Sequence, residues 1–142
     1  MRALLDTNLF ISYLLTSQNN GAIQTIFEAL DHERFTLLLP EAVTDEILDV
    51  VTHRPHLIGK IGRDRLNSFL SLIESLAEIV PRIEQVIPAV GRDPKDDYLL
   101  TYAVVGQADY LVSGDKDLLV LGAMAGVKII STVTFAGILS NP

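Results

Sequence analysis

An α/β fold built on a central parallel sheet is predicted by three observations. Short apolar runs alternate with longer amphipathic segments along the chain. Those runs are bounded by Pro, Gly and polar residues, the usual punctuation between elements. Apolar residues make up 49% of the chain, enough to bury a sheet beneath helices, and disorder is not expected. Strands that alternate with helices imply parallel pairing through right-handed crossovers. The length, 142 residues, suits one domain spanning residues 1–142.

Arg2–Leu5 reads as the first strand. Leu9–Leu15 and Ala22–Asp31 read as helices, separated by the polar loop Ser17-Gln18-Asn19-Asn20-Gly21. Phe35–Leu39 is a strand stopped by Pro40. Glu41–Thr52 is a helix with Val43, Ile47 and Val50 at helical spacing. A break follows at His53-Arg54-Pro55-His56. Arg63–Leu76 is a helix through Leu66, Phe69, Leu70 and Ile73. Glu78–Ile83 reads as a strand or a helix end. Lys95–Val105 is a helix, Asp109–Ser113 a strand and Asp117–Ala123 a short helix. Lys128–Ile130 is the last strand and Val133–Leu139 the last helix.

Composition narrows the function. The chain has no cysteine, which removes disulfides, thiolate zinc sites and thiol nucleophiles and fits a reducing cytoplasm. The start, Met1-Arg2-Ala3-Leu4-Leu5-Asp6, does not have the form of a signal peptide. No stretch approaches the roughly 20 apolar residues of a membrane span. The formal net charge is −7, which counts against a protein that simply grips phosphates. It leaves room for an enzyme that reaches phosphates through a divalent cation.

Open parallel sheets bind ligands at the carboxyl ends of their strands, and acids cluster there. Asp6 follows the first strand directly. Its ordinary alternative is a turn or cap before the next helix, a role Thr7 or Asn8 could fill instead. Glu46 sits three residues after Val43 and four before Val50, beside the core-facing stripe. Asp45 and Asp49 lie further toward solvent. A carboxylate at the core edge is costly without a cation or donors, although a half-exposed or arginine-paired glutamate would read the same way.

In Asp93-Pro94-Lys95-Asp96-Asp97, Asp93 suits the N-cap, Pro94 the first helical position and Asp96 the third. Asp97 is left over, one turn before Leu100 and Thr101, and is preferred as the functional acid, with Asp96 the fallback. Asp115 ends Tyr110-Leu111-Val112-Ser113-Gly114-Asp115, again past a strand. Its alternative is a helix N-cap, which Ser113 could also supply. Asp117 is an accessory acid or an ordinary first-turn acid favoured by the helix dipole. Converging carboxylates repel one another, and a hard oxygen-binding cation, Mg²⁺ or Mn²⁺, is the natural counter-ion. The three histidines, His32, His53 and His56, lack the spacing of a zinc site.

Leu4-Leu5-Asp6-Thr7-Asn8, Glu46 in its helix, Asp97-Tyr98-Leu99-Leu100 and Tyr110 through Leu119 together resemble the PIN domain family, in particular the VapC-like toxin components of bacterial and archaeal toxin–antitoxin pairs. The resemblance covers nearly the whole chain. It implies a three-layer α/β/α fold and an Mg²⁺- or Mn²⁺-dependent ribonuclease. Carried over by position, Asp6, Glu46, Asp97 and Asp115 match the family's acidic quartet. Asn8 and Ser113 match polar positions beside the site, and Asp117 matches an occasional extra acid. The resemblance also implies a homodimer and a small antitoxin that blocks the site.

The chemistry this suggests is hydrolysis of an RNA phosphodiester with one or two cations held by carboxylates. Asp6 and Asp97 are the first choices as direct ligands, with Glu46 and Asp115 binding through water or orienting the nucleophile. Distal RNA phosphates need cations. The only basic concentration is Arg54, Lys60, Arg63 and Arg65, for which a solvated face is an equal alternative. A haloacid-dehalogenase-type phosphatase would want an aspartate where Asn8 stands. The stronger rival is a non-catalytic PIN-like module that binds RNA or protein.

Overall fold

The computed structural model describes residues 1–15, 21–83 and 94–141, with residues 94–97 described as backbone only. Six strands form one sheet: β1 (Arg2–Leu5), β2 (Thr36–Pro40), β3 (Glu78–Val80), β4 (Tyr110–Val112), β5 (Ala123–Met124) and β6 (Val127–Ile130). Their spatial order is β3-β2-β1-β4-β6-β5. Every pairing is parallel except β5 with β6. The expected parallel sheet therefore carries one short antiparallel strand at its edge, and such edges are common on parallel sheets.

Eight helices complete the described chain: α1 (Thr7–Leu15), α2 (Ala22–Asp31), α3 (Glu41–Thr52), α4 (Pro55–Ile61), α5 (Arg63–Leu76), α6 (Pro94–Val105), α7 (Lys116–Leu119) and α8 (Thr132–Ser140). Consecutive Leu37, Leu38 and Leu39 of β2 are all buried, as are Ala3, Leu4 and Leu5 of β1. Side chains alternate across a strand, so a run buried without interruption requires helices over both faces. The result is a three-layer α/β/α arrangement. Phe10, Phe27 and Phe69 of α1, α2 and α5 meet edge-on or tilted, and Tyr13 stacks on Phe27 at 4.3 Å between ring centroids.

Two local expectations are corrected. The break at His53–His56 is instead the entry to α4. Pro55 is its first residue, a position where proline's missing N–H costs nothing and its fixed φ helps. Gly62, at φ +82°, ends α4 and precedes α5, so proline here opened a helix where it had been taken to interrupt one. The expected helix Asp117–Ala123 is shorter, because Ala123 belongs to β5. Ala125 (φ +51°) and Gly126 (φ +87°) form a two-residue turn of the primed type between β5 and β6. Alanine seldom takes positive φ, which is why this hairpin left little trace in the sequence.

The chain steps from β1 to β2 and β3 on one side, then to β4 and β6 on the other. The order reverses beside β1, which makes the β1–β4 rim the place where a ligand crevice opens.

Candidate active site

The sheet register brings the first site residues together. Leu5 of β1 pairs with Val112 of β4, and the Asp6 N–H donates to Val112 O at 3.0 Å. Asp6 and Ser113 therefore leave the sheet side by side. Ser113 is fully buried, and its hydroxyl donates to Asp6 Oδ2 at 2.8 Å. Ser113 Oγ in turn accepts the backbone N–H of Asp115 at 3.0 Å. The Asn8 N–H points to Asp6 Oδ1 at 3.5 Å, the outer limit of such a bond.

Helix α1 begins at Thr7, directly after Asp6, so Thr7 and Asn8 lie inside its first turn. Neither takes the capping role offered to it. The buried Thr7 hydroxyl crosses to α3 and donates to Glu46 Oε2 at 3.0 Å. Tyr98 of α6 donates its hydroxyl to the same Glu46 oxygen. Glu46 is half-buried beside fully buried Val43 and Ile47, while Asp45 and Asp49 are exposed, as the helical spacing predicts.

These groups line one cleft of about 500 Å³ at the sheet rim, bounded by Asp6, Asn8, Glu46, Arg54, Tyr98 and Asp115 with an apolar wall. Burial pushes the Asp6 carboxyl above its ordinary range, and the charges of Glu46 and Asp115 add to the rise. The Ser113 and Asn8 hydrogen bonds oppose it only in part. The Tyr98 hydroxyl is raised as well, first by burial and then by its bond to Glu46. It is a donor throughout the neutral range.

Asp6, Glu46, Asp115, Asn8 and Ser113 are thus gathered at one rim. Asp115 satisfies both of its readings: it lines the cleft, and its side chain accepts the Asp117 N–H at 2.9 Å as the N-cap of α7. Asp117 is exposed on α7 and does not line the cleft. The side chains of Asp96 and Asp97 lie outside the described residues, as does Asp93, although α6 begins at Pro94 as the sequence predicts. Among the basic residues, Arg54 lines the cleft, whereas Lys60 and Arg63 are exposed and are not among its lining residues. The Arg65 guanidinium donates to Leu14 O at 2.7 Å, a structural tie from α5 to the end of α1.

Sequence reasoning missed Thr7 and Tyr98 as partners of Glu46. Thr7 was weighed only as a cap. Tyr98 carries the single hydroxyl in the run Tyr98-Leu99-Leu100, and that polar tip was the available signal.

The donor set suits a hard divalent cation, because the charged groups facing the cleft are carboxylates plus one arginine. The Asp6 carboxyl is raised first by burial and to a smaller extent by the charges of Glu46 and Asp115, and a bound cation would favour its ionised form. Among the described residues no three Asp, Glu or His side chains already form a metal-holding group. Asp6, Glu46 and Asp115 share the lining of the cleft without forming such a group by themselves.

Residues 2–117 match the family model of the PIN domain, a span that includes every acid singled out above, and the chain belongs to that family. A search of curated proteins finds no significant match. Among solved structures, the fold is similar to a chain in the crystal structure of VapBC2 from Rickettsia felis bound to a DNA fragment from their promoter. That likeness has a TM-score of 0.59 at 16% identity and covers 92% of this chain and 98% of the other. At that identity it shows the fold alone. Among the described residues no helix is long and apolar enough to cross a membrane.

Proposed function

We propose that this chain is an Mg²⁺- or Mn²⁺-dependent endoribonuclease that serves as the toxin of a type II toxin–antitoxin pair. The observation that carries this reading is the meeting of Asp6, Glu46 and Asp115, far apart in sequence, around one cleft at the β1–β4 rim. Membership of the PIN family supports the nuclease chemistry. The likeness to a VapBC2 chain supports the toxin role.

In this reading Asp6 and Asp97 are the direct ligands, and Asp115 and Glu46 complete the acidic set. A divalent cation held there supplies Lewis acidity: it activates water near neutral pH and offsets charge on the phosphodiester. Ser113 holds Asp6 in place. Tyr98 and Thr7 hold Glu46. Ile11, Leu15, Val50, Leu57 and Leu99 complete the wall of the cleft. Arg54 meets an RNA phosphate away from the scissile bond. The partner protein is a small antitoxin that covers the cleft, and the chain pairs as a homodimer in the cytoplasm.

The test is cleavage of a single-stranded RNA by the purified chain. Cleavage should require Mg²⁺ or Mn²⁺, stop with EDTA and fall at least 100-fold in Asp6→Asn. Cleavage that survives Asp6→Asn would move the chemistry elsewhere. Hydrolysis of a small phosphomonoester with no RNA cleavage would make the chain a phosphatase, and RNA or protein binding without either activity a non-catalytic module.

A further inference from the structure

Two hydroxyl donors converge on one oxygen of Glu46. Thr7 Oγ1 donates to its Oε2 at 3.0 Å, and the Tyr98 hydroxyl donates to the same atom. The donors come from different elements, Thr7 from the first turn of α1 and Tyr98 from α6, while Glu46 itself stands on α3. A carboxylate oxygen offers about two lone-pair directions. Two hydroxyl donors therefore fill Oε2.

The donors are themselves anchored. Thr7 is 2% exposed. The Tyr98 ring meets Tyr102 edge-on, with centroids 6.1 Å apart and planes at 86°. Tyr102 is buried, and its hydroxyl accepts the Ile83 N–H at 2.9 Å. Tyr98 is thus braced at its ring and committed at its tip.

We infer that Thr7 and Tyr98 are positioning residues that saturate Oε2 of Glu46 and commit this carboxylate to the cleft through Oε1 alone. Glu46 then serves a cation, or a water beside it, through one oxygen and never through both. The inference rests on the nuclease reading above and specifies how one acid of that site is aimed. Partners that orient a metal-binding side chain in this way typically contribute 10–100-fold to metal affinity or activity.

The experiment uses the full chain and Mn²⁺ as the probe. Mn²⁺ binding is titrated by calorimetry, and RNA cleavage is resolved into kcat and KM. The variants are Tyr98→Phe, Thr7→Val and Thr7→Ser, with thermal melting to confirm that each is folded. Tyr98→Phe and Thr7→Val should each weaken Mn²⁺ binding and lower kcat by about 10-fold, with KM for RNA within about 2-fold. Thr7→Ser keeps the hydroxyl and should behave as wild type. If wild type binds Mn²⁺ and cuts RNA while Tyr98→Phe and Thr7→Val match it, the positioning role is overturned and the nuclease reading stands. Thr7→Ser as impaired as Thr7→Val would also overturn it, since shape and not the hydroxyl would matter. A wild-type protein that neither binds Mn²⁺ nor cuts RNA removes both.

Discussion

The Ser113 hydroxyl donates to Asp6 Oδ2 at 2.8 Å, so the end of β4 fixes the carboxylate that ends β1. Its oxygen also accepts the Asp115 N–H, which ties the orientation of one acid to the backbone of another. A hydrogen bond to the ionised form favours that form, and this one holds down an Asp6 carboxyl that burial otherwise raises. Ser113→Ala should therefore raise the Asp6 pKa further. The acidic limb of the cleavage pH profile should move to higher pH, with the largest loss of activity on the acid side. Single-turnover rates across pH check this, and a limb that stays in place would detach Ser113 from Asp6 ionisation.

Asp6 also sets a stability balance with a definite sign. Its folded pKa lies above the unfolded one, so the folded state binds the proton more tightly. The associated stability is fully present below the unfolded pKa and is lost as pH rises through the folded pKa. At neutral pH, without metal, the ionised carboxylate is a net cost. Asp6→Asn should then melt higher than wild type at pH 7 in EDTA. The two should converge on acidification. Thermal scans at both pH values decide it: an Asn variant less stable at pH 7 would contradict the sign.

Mn²⁺ should close that gap from the other direction. A ligand that binds the folded state alone stabilises it by about 2.7 kcal/mol at 100 times its Kd. Wild type should therefore gain roughly 5–10 °C on saturation with Mn²⁺, and Asp6→Asn little or nothing. An equal gain in both proteins would place the ion at some other site.

Much of this was legible beforehand, for identifiable reasons. The short apolar run Leu37-Leu38-Leu39, stopped by Pro40, marks a buried strand, and Glu46 beside Val43 and Ile47 follows from helical spacing. What escaped depends on partners distant in sequence or on backbone angles. That Thr7 and Tyr98 share one Glu46 oxygen is a product of tertiary packing between α1, α3 and α6. The turn at Ala125-Gly126 needs an alanine at positive φ, which residue type does not announce. Helix α4 was hidden because the same proline signal marks a helix start or a break.

Arg54 precedes α4 and lines the cleft, the one basic residue of its segment placed there among the described residues. A phosphate contact from it should obey counterion release. Arg54→Ala should reduce the slope of log affinity against log salt by about 0.7 for single-stranded RNA. Arg63→Ala, on the exposed start of α5, should leave the slope unchanged. Binding titrations with a non-cleaved RNA between roughly 50 and 200 mM salt resolve the difference. Equal slopes in the wild type and Arg54→Ala would leave RNA no anchor at this residue.

The choice between Asp96 and Asp97 can be argued from the helix that carries them. With α6 opening at Pro94, Asp96 stands third and Asp97 fourth. An acid at the third position complements the helix dipole and suits a capping box, a stabilising role worth about 0.3–1 kcal/mol. Asp97 directly precedes Tyr98 and Leu99, both of which line the cleft. The two acids should therefore fail in different assays. Asp96→Asn should lower the melting temperature by about 1–3 °C and leave cleavage within a few-fold. Asp97→Asn should leave melting almost unchanged without metal, reduce cleavage at least 100-fold and abolish stabilisation by Mn²⁺. The reverse pattern would transfer the ligand role to Asp96, and the chain would then reach the cleft from the third residue of α6.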